Sequence, residues 1–128
     1  YQEWQHFWPT STIEPYASHI NNTPKYVVST TLTRVDWKNS TLVKGSLTEE
    51  IARLKQVPGR NIGVAGSPTL ARTLLKNGLL DELTLMVHPV IVGKGKRLFD
   101  GWGDLKRLKL VASQTTSTGV SFLTLQPR

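Results

Sequence analysis

The sequence has no cysteine, and its nine acidic residues are far outnumbered by sixteen Lys and Arg. The absence of Cys excludes disulfide bonds, thiolate catalysis and zinc sites with Cys ligands. No hydrophobic run approaches the roughly 20 residues that a membrane-spanning helix needs. Low-complexity tracts are also missing, and 38% of the 128 residues are hydrophobic, so the composition predicts one globular domain. We expect a cytoplasmic protein with no membrane partner.

The excess of basic residues gives a net charge of +7, which favours anionic partners. These residues are scattered, however, and the densest group, at positions 94–109, is interrupted by Leu98, Phe99 and Trp102. A nucleic-acid partner would therefore rest on charge alone, and we expect none; a phosphorylated small molecule or a solvated surface is favoured instead. No pair of His residues has the spacing of metal ligands, so we also expect no metal.

Hydrophobic periodicity predicts an α/β protein in which helices alternate with strands before a C-terminal hairpin. The chain opens with helical spacing that Pro9 stops, and a loop is expected from there to Asn22. Ser46 and Glu49 form a capping-box pattern before a helix of about ten residues. A further helix starts at Pro68 and closes at residues 77–78. The predicted strands cover residues 25–32, 41–44, 61–65, 83–92, 106–115 and 119–125.

The sharpest local signal is the sequence Val-Ala-Gly-Ser-Pro-Thr at residues 64–69, where a predicted strand passes directly into a helix. Gly66 lets a ligand approach the backbone, Ser67 can cap the helix, and Pro68 fits its first turn. The free amides of Thr69 and Leu70 lie at the positive end of the helix dipole, where an anion can bind. The spacing matches neither a G-x-G-x-x-G fingerprint nor a Walker loop, so a capped helix that binds nothing stays an equal alternative.

A second signal is the triplet Ser29-Thr30-Thr31 at the end of the first predicted strand. In parallel α/β sheets, ligands bind beyond the carboxyl ends of the strands. The triplet and the pair Gly66-Ser67 would both lie at such ends, so we expect them to share one crevice. The alternative is that Thr simply fills β positions, which it favours.

Catalytic groups are harder to identify. No G-x-S-x-G pattern supports a serine triad, and Ser67 is better explained as a cap. Asp81 and Glu82 are better explained as the polar turn between a helix and a strand. No convincing proton donor emerges, and the catalytic residues stay unknown.

Five ordered blocks point to one protein family. They are KYVVSTTL from Lys25 with Trp37 downstream, Gly45 followed by a helix with Leu54-Lys55, IGVAGS from Ile62, GLLDEL from Gly78, and HPVIVGKGKRLF from His88. Over nearly the whole chain, from about Tyr1 to Leu125, this order resembles the reductase domain of the bacterial riboflavin-biosynthesis deaminase-reductase. That domain has a dihydrofolate reductase-like fold, in which three α/β/α layers enclose a mixed sheet that is parallel early and ends in an antiparallel hairpin.

The resemblance implies an NADPH-dependent reductase that forms a homodimer and transfers hydride to a small polar C=N or C=O substrate, such as a pterin or a riboflavin precursor. A nucleotide-binding or regulatory module without catalysis is the alternative. In the family pattern, Ser29 and Thr30 face the adenosine, Gly66 and Ser67 meet the pyrophosphate, and Pro89 and Gly93 border the substrate. The implied cofactor-binding residues are Ser29, Thr30, Val64, Ala65, Gly66, Ser67, Pro68, Thr69 and Leu70; Val64, Ala65 and Leu70 lie beside the nicotinamide.

The chain departs from the family pattern in two ways. It opens at what would be the Tyr of a turn near the cofactor phosphates, so we expect roughly 60 upstream residues of the domain to be absent from this sequence. It also has Gly66-Ser67 where the family has two glycines, and the serine makes that backbone less permissive.

Overall fold

A computed structural model describes residues 1–29, 31–65 and 67–128 of the chain. The chain forms two compact units, Tyr1–Leu54 and Lys55–Arg128. Thr30 and Gly66 lie outside the described residues. The helices and strands are α1 (Gln2–Phe7), α2 (Tyr16–Asn22), β1 (Lys25–Val28), β2 (Ser40–Val43), α3 (Leu47–Gln56), α4 (Pro68–Lys76), β3 (Leu83–Val87), β4 (Leu108–Thr115) and β5 (Ser121–Pro127).

The N-terminal unit contains a two-stranded parallel sheet in which β1 pairs with β2, Lys25 opposite Ser40 and Val28 opposite Val43. Trp37, 6% exposed, is the largest residue of its core. The indole Nε1 of Trp37 donates a hydrogen bond to Asn21 Oδ1 at 2.7 Å, which satisfies the polar atom of a buried aromatic side chain. The core residues of this unit are Ala17, Val27, Trp37, Val43 and Leu54.

Lys25 closes the end of α2. Its Nζ donates to the carbonyl oxygens of Ile20, Asn21 and Thr23 at 2.8, 3.1 and 2.9 Å and lies 4.3 Å from the ring centroid of Trp37. An ammonium group there satisfies carbonyls that the last turn of a helix leaves without partners. Burial, and then the charge of Lys38, lowers the pKa of Lys25.

Helix α2 corrects the predicted loop between Pro9 and Asn22. Pro15 occupies its N-cap, and the carboxylate of Glu14 accepts the amide of Ser18 at 3.2 Å. The helix buries Ala17, which is 1% exposed. Packing and a local carboxylate cap thus stabilise a short helix whose sequence carries no strong periodic signal.

The C-terminal unit contains a three-stranded antiparallel sheet in the order β3-β5-β4. The register of β4 against β5 shifts between Leu110 and Ala112, which marks a bulge in β4. Leu74 and Leu75 of α4 are each 3% exposed and form the buried part of this unit. The parallel early pair and the antiparallel C-terminal hairpin confirm the predicted strand directions.

Three predicted strands differ from the structure by more than two residues. Residues 61–65 form no strand and are exposed, since no neighbouring strand in the described part of the chain supplies their hydrogen-bond ladder. β1 stops at Val28 instead of residue 32, because Ser29 folds the backbone into a turn. β3 stops at Val87, before Pro89, which lacks the amide that a ladder needs. No helix in the described ranges combines the length and the apolar composition required to cross a bilayer.

Candidate functional site

A cleft of about 780 Å³ opens where β1 and β2 end in the N-terminal unit. Parallel neighbours bring their carboxyl ends to the same edge of a sheet, so the residues that follow both strands meet there. The wall of the cleft is partly apolar, and the polar side chains of its described lining residues carry two hydroxyls and one ammonium. The lining residues are Val28, Ser29, Thr31, Leu32, Leu42, Val43, Lys44, Gly45 and Leu47.

Ser29 shapes this cleft through its hydroxyl. Ser29 Oγ accepts the backbone amides of Thr31 and Leu32 at 3.2 and 3.1 Å, and it lies 3.3 Å from Thr31 Oγ1. A side chain that accepts amides two and three residues ahead is a local turn former. The predicted binding residue Ser29 therefore lines the cleft and also sets the path of the backbone along its rim.

Lys44 and Gly45 line the cleft although the sequence analysis assigned neither a binding role. Lys44 is exposed and directly follows β2, and Gly45 has a φ of +84°, a conformation that favours glycine. Their signal in the sequence was position: Lys44 ends the predicted strand 41–44 and Gly45 directly follows it, and in the structure both come after β2, which ends at Val43. Pairing these strand ends required the register between β1 and β2.

The predicted phosphate-binding residues lie at the start of α4. Ser67 is the N-cap with φ +47° and ψ +74°, its side chain makes no capping hydrogen bond, and Pro68 opens the helix. The bond from the Ala71 amide to the Ser67 carbonyl, at 3.0 Å, is that of an i→i−4 helical turn. The amides of Thr69 and Leu70 precede that turn and have no helical acceptor.

The electrostatics of this helix start favour an anion. The first turn of α4 contains no acidic side chain, and Ser67, Pro68 and Thr69 are exposed. Val64 is 37% exposed and Ala65 is exposed too. The described residues thus leave the helix start accessible, while the adjacent Gly66 lies outside them.

The predicted substrate residues follow β3. Pro89 is exposed, and a Cβ added at Gly119 would lie 3.4 Å from its Cγ, so the β4–β5 turn approaches the proline ring. Gly93 has a φ of +76°, which permits a turn that other residues rarely adopt. The contact of Pro89 and Gly93 with a substrate stays a prediction.

Arg72 of α4 was not singled out from the sequence, yet it joins the helix to the loop after Gly93. Its guanidinium donates to the carbonyls of Arg97 and Leu98 at 3.2 and 2.7 Å and to Thr69 Oγ1 at 3.3 Å. Nothing in the local pattern around Arg72 indicates its two loop contacts, because Arg97 and Leu98 lie 25 and 26 residues away in sequence.

The structure brings Ser29 and Thr31 together at the cleft, and it places Ser67 with Pro68, Thr69 and Leu70 at the helix start. Ser29 belongs to the N-terminal unit and Ser67 to the C-terminal unit, and their meeting at one crevice stays a prediction. The candidate residues Thr30 and Gly66 lie outside the described residues. Within the described ranges, no group of three His, Asp or Glu side chains could hold a metal ion.

Comparison with known proteins finds one family model that matches. Residues 1–122 match the model described as the RibD C-terminal domain. This match confirms the family inferred from the five sequence blocks.

Two curated relatives come from Bacillus subtilis (strain 168). Uncharacterized protein YyaP is 36% identical over 101 residues, which are 79% of this chain and 53% of YyaP. Uncharacterized protein YwjB is 39% identical over 59 residues, which are 46% of this chain and 34% of YwjB. The chain thus spans about half the length of YyaP and about a third of YwjB.

A crystal structure of a Shewanella sp. PV-4 protein, named for riboflavin biosynthesis, superposes with a TM-score of 0.66. The match covers 84% of this chain and 62% of the Shewanella chain at 24% sequence identity. A likeness at this identity establishes the fold. It confirms the mixed α/β, dihydrofolate reductase-like architecture that the sequence predicts.

Proposed function

We propose that this chain, which belongs to the RibD C-terminal domain family, holds NADPH and acts as a reductase on a small polar substrate with a C=N or C=O group. A homodimer is the assembly we propose with it. The observation that carries the proposal is the cleft after β1 and β2, whose polar lining consists of Ser29, Thr31 and Lys44.

The donor set of the cleft fits part of an anionic dinucleotide. Hydroxyls can donate to phosphate or ribose oxygens, and the Lys44 ammonium supplies a positive charge. The described residues of the cleft lining include no carboxylate, which would repel a phosphate. The apolar residues Leu32 and Leu42 offer a surface for the face of an aromatic base.

The start of α4 fits a diphosphate on separate grounds. An anion near the first turn of a helix gains from the dipole and from amides that lack intrahelical partners. Thr69 and Leu70 supply such amides, and no acidic side chain in that turn opposes the ligand. Ser67, Thr69 and Leu70 would hold the diphosphate there.

NADPH supplies the hydride, and the protein's task is to bind and orient the two reactants within about 3 to 3.5 Å. Pro89 and Gly93, after β3, would border the substrate.

A second candidate function is a module that holds the nucleotide without turnover. The favouring observation is that, among the lining residues that the structure describes, none has a carboxylic acid or an imidazole that could donate a proton. Binding of NADPH without its oxidation, across pterin, ribosylamino-pyrimidine and carbonyl substrates, would support this candidate over the reductase.

The first experiment titrates the full chain with NADPH while tryptophan fluorescence and thermal stability are followed. We expect quenching and a rise in the unfolding temperature, because a ligand that binds the folded state stabilises it by mass action. The absence of both effects at about millimolar NADPH would refute the proposal. Loss of nicotinamide absorbance with one of the substrates then separates the reductase from the silent module.

A matched pair of charge variants tests the cleft itself. Lys44→Gln removes the ammonium from the cleft and should weaken NADPH binding about five- to tenfold, as expected for one partly solvated charge-assisted contact. Lys109→Gln removes the same charge from an exposed position of β4 outside the cleft lining and should change the Kd less than twofold. Equal losses of NADPH affinity in the two variants would show that binding depends on the net charge of the protein and not on this cleft.

A further inference from the structure

Arg72 connects the first turn of α4 with a loop that has no regular secondary structure. Its guanidinium donates to two successive loop carbonyls, those of Arg97 and Leu98, and also to Thr69 Oγ1. The planar fork of an arginine suits such a bridge, because several donors point in fixed directions from one rigid group. Arg72 is half-buried, and its bond to Leu98 is the shortest of the three at 2.7 Å.

The same face of α4 carries a second contact to this loop. Lys76, four residues after Arg72 and therefore one helical turn away, places Nζ 5.1 Å from the ring centroid of Trp102. Phe99 packs edge-to-face on Trp102 with ring centroids 6.0 Å apart. The guanidinium of Arg72 and the ammonium of Lys76 thus hold residues 97–102 along α4, and the aromatic pair packs within the loop.

The loop needs such support because its own backbone is permissive. Gly93, Gly95, Gly101 and Gly103 all have positive φ, between +71° and +124°. Glycine at these positions leaves the unrestrained loop with many accessible conformations. Within it, turn-type hydrogen bonds join the Asp100 amide to Arg97 O at 3.3 Å and the Trp102 amide to Phe99 O at 3.2 Å.

We propose that Arg72 is a positioning residue that ties the loop at 93–104 to the first turn of α4, so that a ligand bound at that turn restricts the loop. This inference rests on the proposed function, in which the Thr69 amide meets the cofactor and Gly93 borders the substrate. Arg72 bonds the side chain of Thr69 and the loop backbone together. Its hydrogen bonds therefore connect the proposed cofactor subsite at Thr69 with the loop that contains the proposed substrate residue Gly93.

The first measurement uses the chain without ligand and follows hydrogen exchange at the amides of Asp100 and Trp102. Arg72→Ala should raise both rates about tenfold, because the carbonyls that anchor the loop lose a charged donor. Arg53→Ala is the matched control, since Arg53 is a helix arginine whose guanidinium bonds to Glu50 of its own helix. Unchanged exchange in Arg72→Ala would overturn the proposal, whatever NADPH does.

The second measurement adds NADPH. In the unaltered chain, NADPH should slow exchange at Asp100 and Trp102 further. In Arg72→Ala, the Kd should stay within about threefold while the protection of these amides is lost, because the donors of Arg72 serve loop carbonyls. A purely structural role would not uncouple protection from affinity, so equal protection in both proteins would overturn the coupling.

A conservative variant guards against a folding defect. Arg72→Lys keeps the positive charge but not the fork, so it should raise loop exchange about threefold and keep part of the NADPH protection. Full rescue by lysine would show that charge alone suffices and would overturn the positioning role of the fork. If NADPH does not bind the unaltered chain, the proposed function fails, while the exchange rates without ligand still decide whether Arg72 holds the loop.

Discussion

Replacing Ser67 by alanine should leave the stability of the protein nearly unchanged, although Ser67 occupies the N-cap of α4. An ordinary serine cap contributes about 1 kcal/mol through its side-chain oxygen. Ser67 makes no such hydrogen bond, and its backbone is left-handed with φ +47°. Since no cap is lost, Ser67→Ala should change the free energy of unfolding by less than about 0.5 kcal/mol.

Glycine at the same position should stabilise the chain slightly. A left-handed backbone costs a residue with a Cβ about 1–2 kcal/mol, which Ser67→Gly removes. The greater freedom of glycine in the unfolded chain offsets about 0.5–1 kcal/mol of this gain. The net expectation is a stabilisation between about 0 and 1.5 kcal/mol. If α4 holds a diphosphate, the more permissive backbone should keep or improve NADPH affinity.

Urea unfolding of three variants checks this reasoning. Ser46→Ala is the matched control, because Ser46 Oγ accepts the Glu49 amide at 3.4 Å and does cap α3. It should lose about 0.5–1 kcal/mol. A loss in Ser67→Ala as large as that in Ser46→Ala, or a destabilised Ser67→Gly, would refute the backbone conformation assigned to Ser67.

Two further perturbations address the core and the surface charge. Leu74→Ala should lower the free energy of unfolding by about 2–5 kcal/mol, because Leu74 is 3% exposed. Leu105 is 84% exposed, so Leu105→Ala should change this free energy by less than about 0.5 kcal/mol. Urea unfolding measures both variants, and similar losses in the two would contradict the assigned core. The hydrogen bond from Arg53 holds the pKa of Glu50 below its usual range, so the stability from this pair is present above the ordinary pKa and lost as pH falls through the lowered one. In Arg53→Gln, an NMR titration should find the Glu50 pKa raised; an unchanged value would exclude Arg53 as the cause.

Local chemistry explains which elements were predictable. The helix from Leu47 to Gln56 follows a serine cap and has one apolar face, and α4 lies between Pro68 and Asn77 as the sequence predicts. The C-terminal hairpin turns at residues 116–119, where Thr116 Oγ1 accepts the Val120 amide at 3.1 Å. In each case the start or stop signal lies within a few residues of the element that it bounds.

The errors have a common physical cause. Residues 61–65 have the composition of a strand, but a strand exists only where a neighbour completes its ladder. Helix α2 was missed because it depends on burial of Ala17 and a carboxylate cap from Glu14. The neighbouring strand that residues 61–65 lack in the described part of the chain and the packing that buries Ala17 are specified by no local pattern.

The sequence alone determined the family, the direction of the strand pairs and the hydroxyl and amide groups proposed to meet a cofactor, because these depend on ordered motifs and short-range periodicity. Only the tertiary structure decided that Lys44 joins Ser29 at one cleft and that Arg72 reaches the carbonyls of residues 97 and 98. Such contacts depend on strand register and on side-chain reach across many residues of chain. Those quantities become defined only when the backbone has folded.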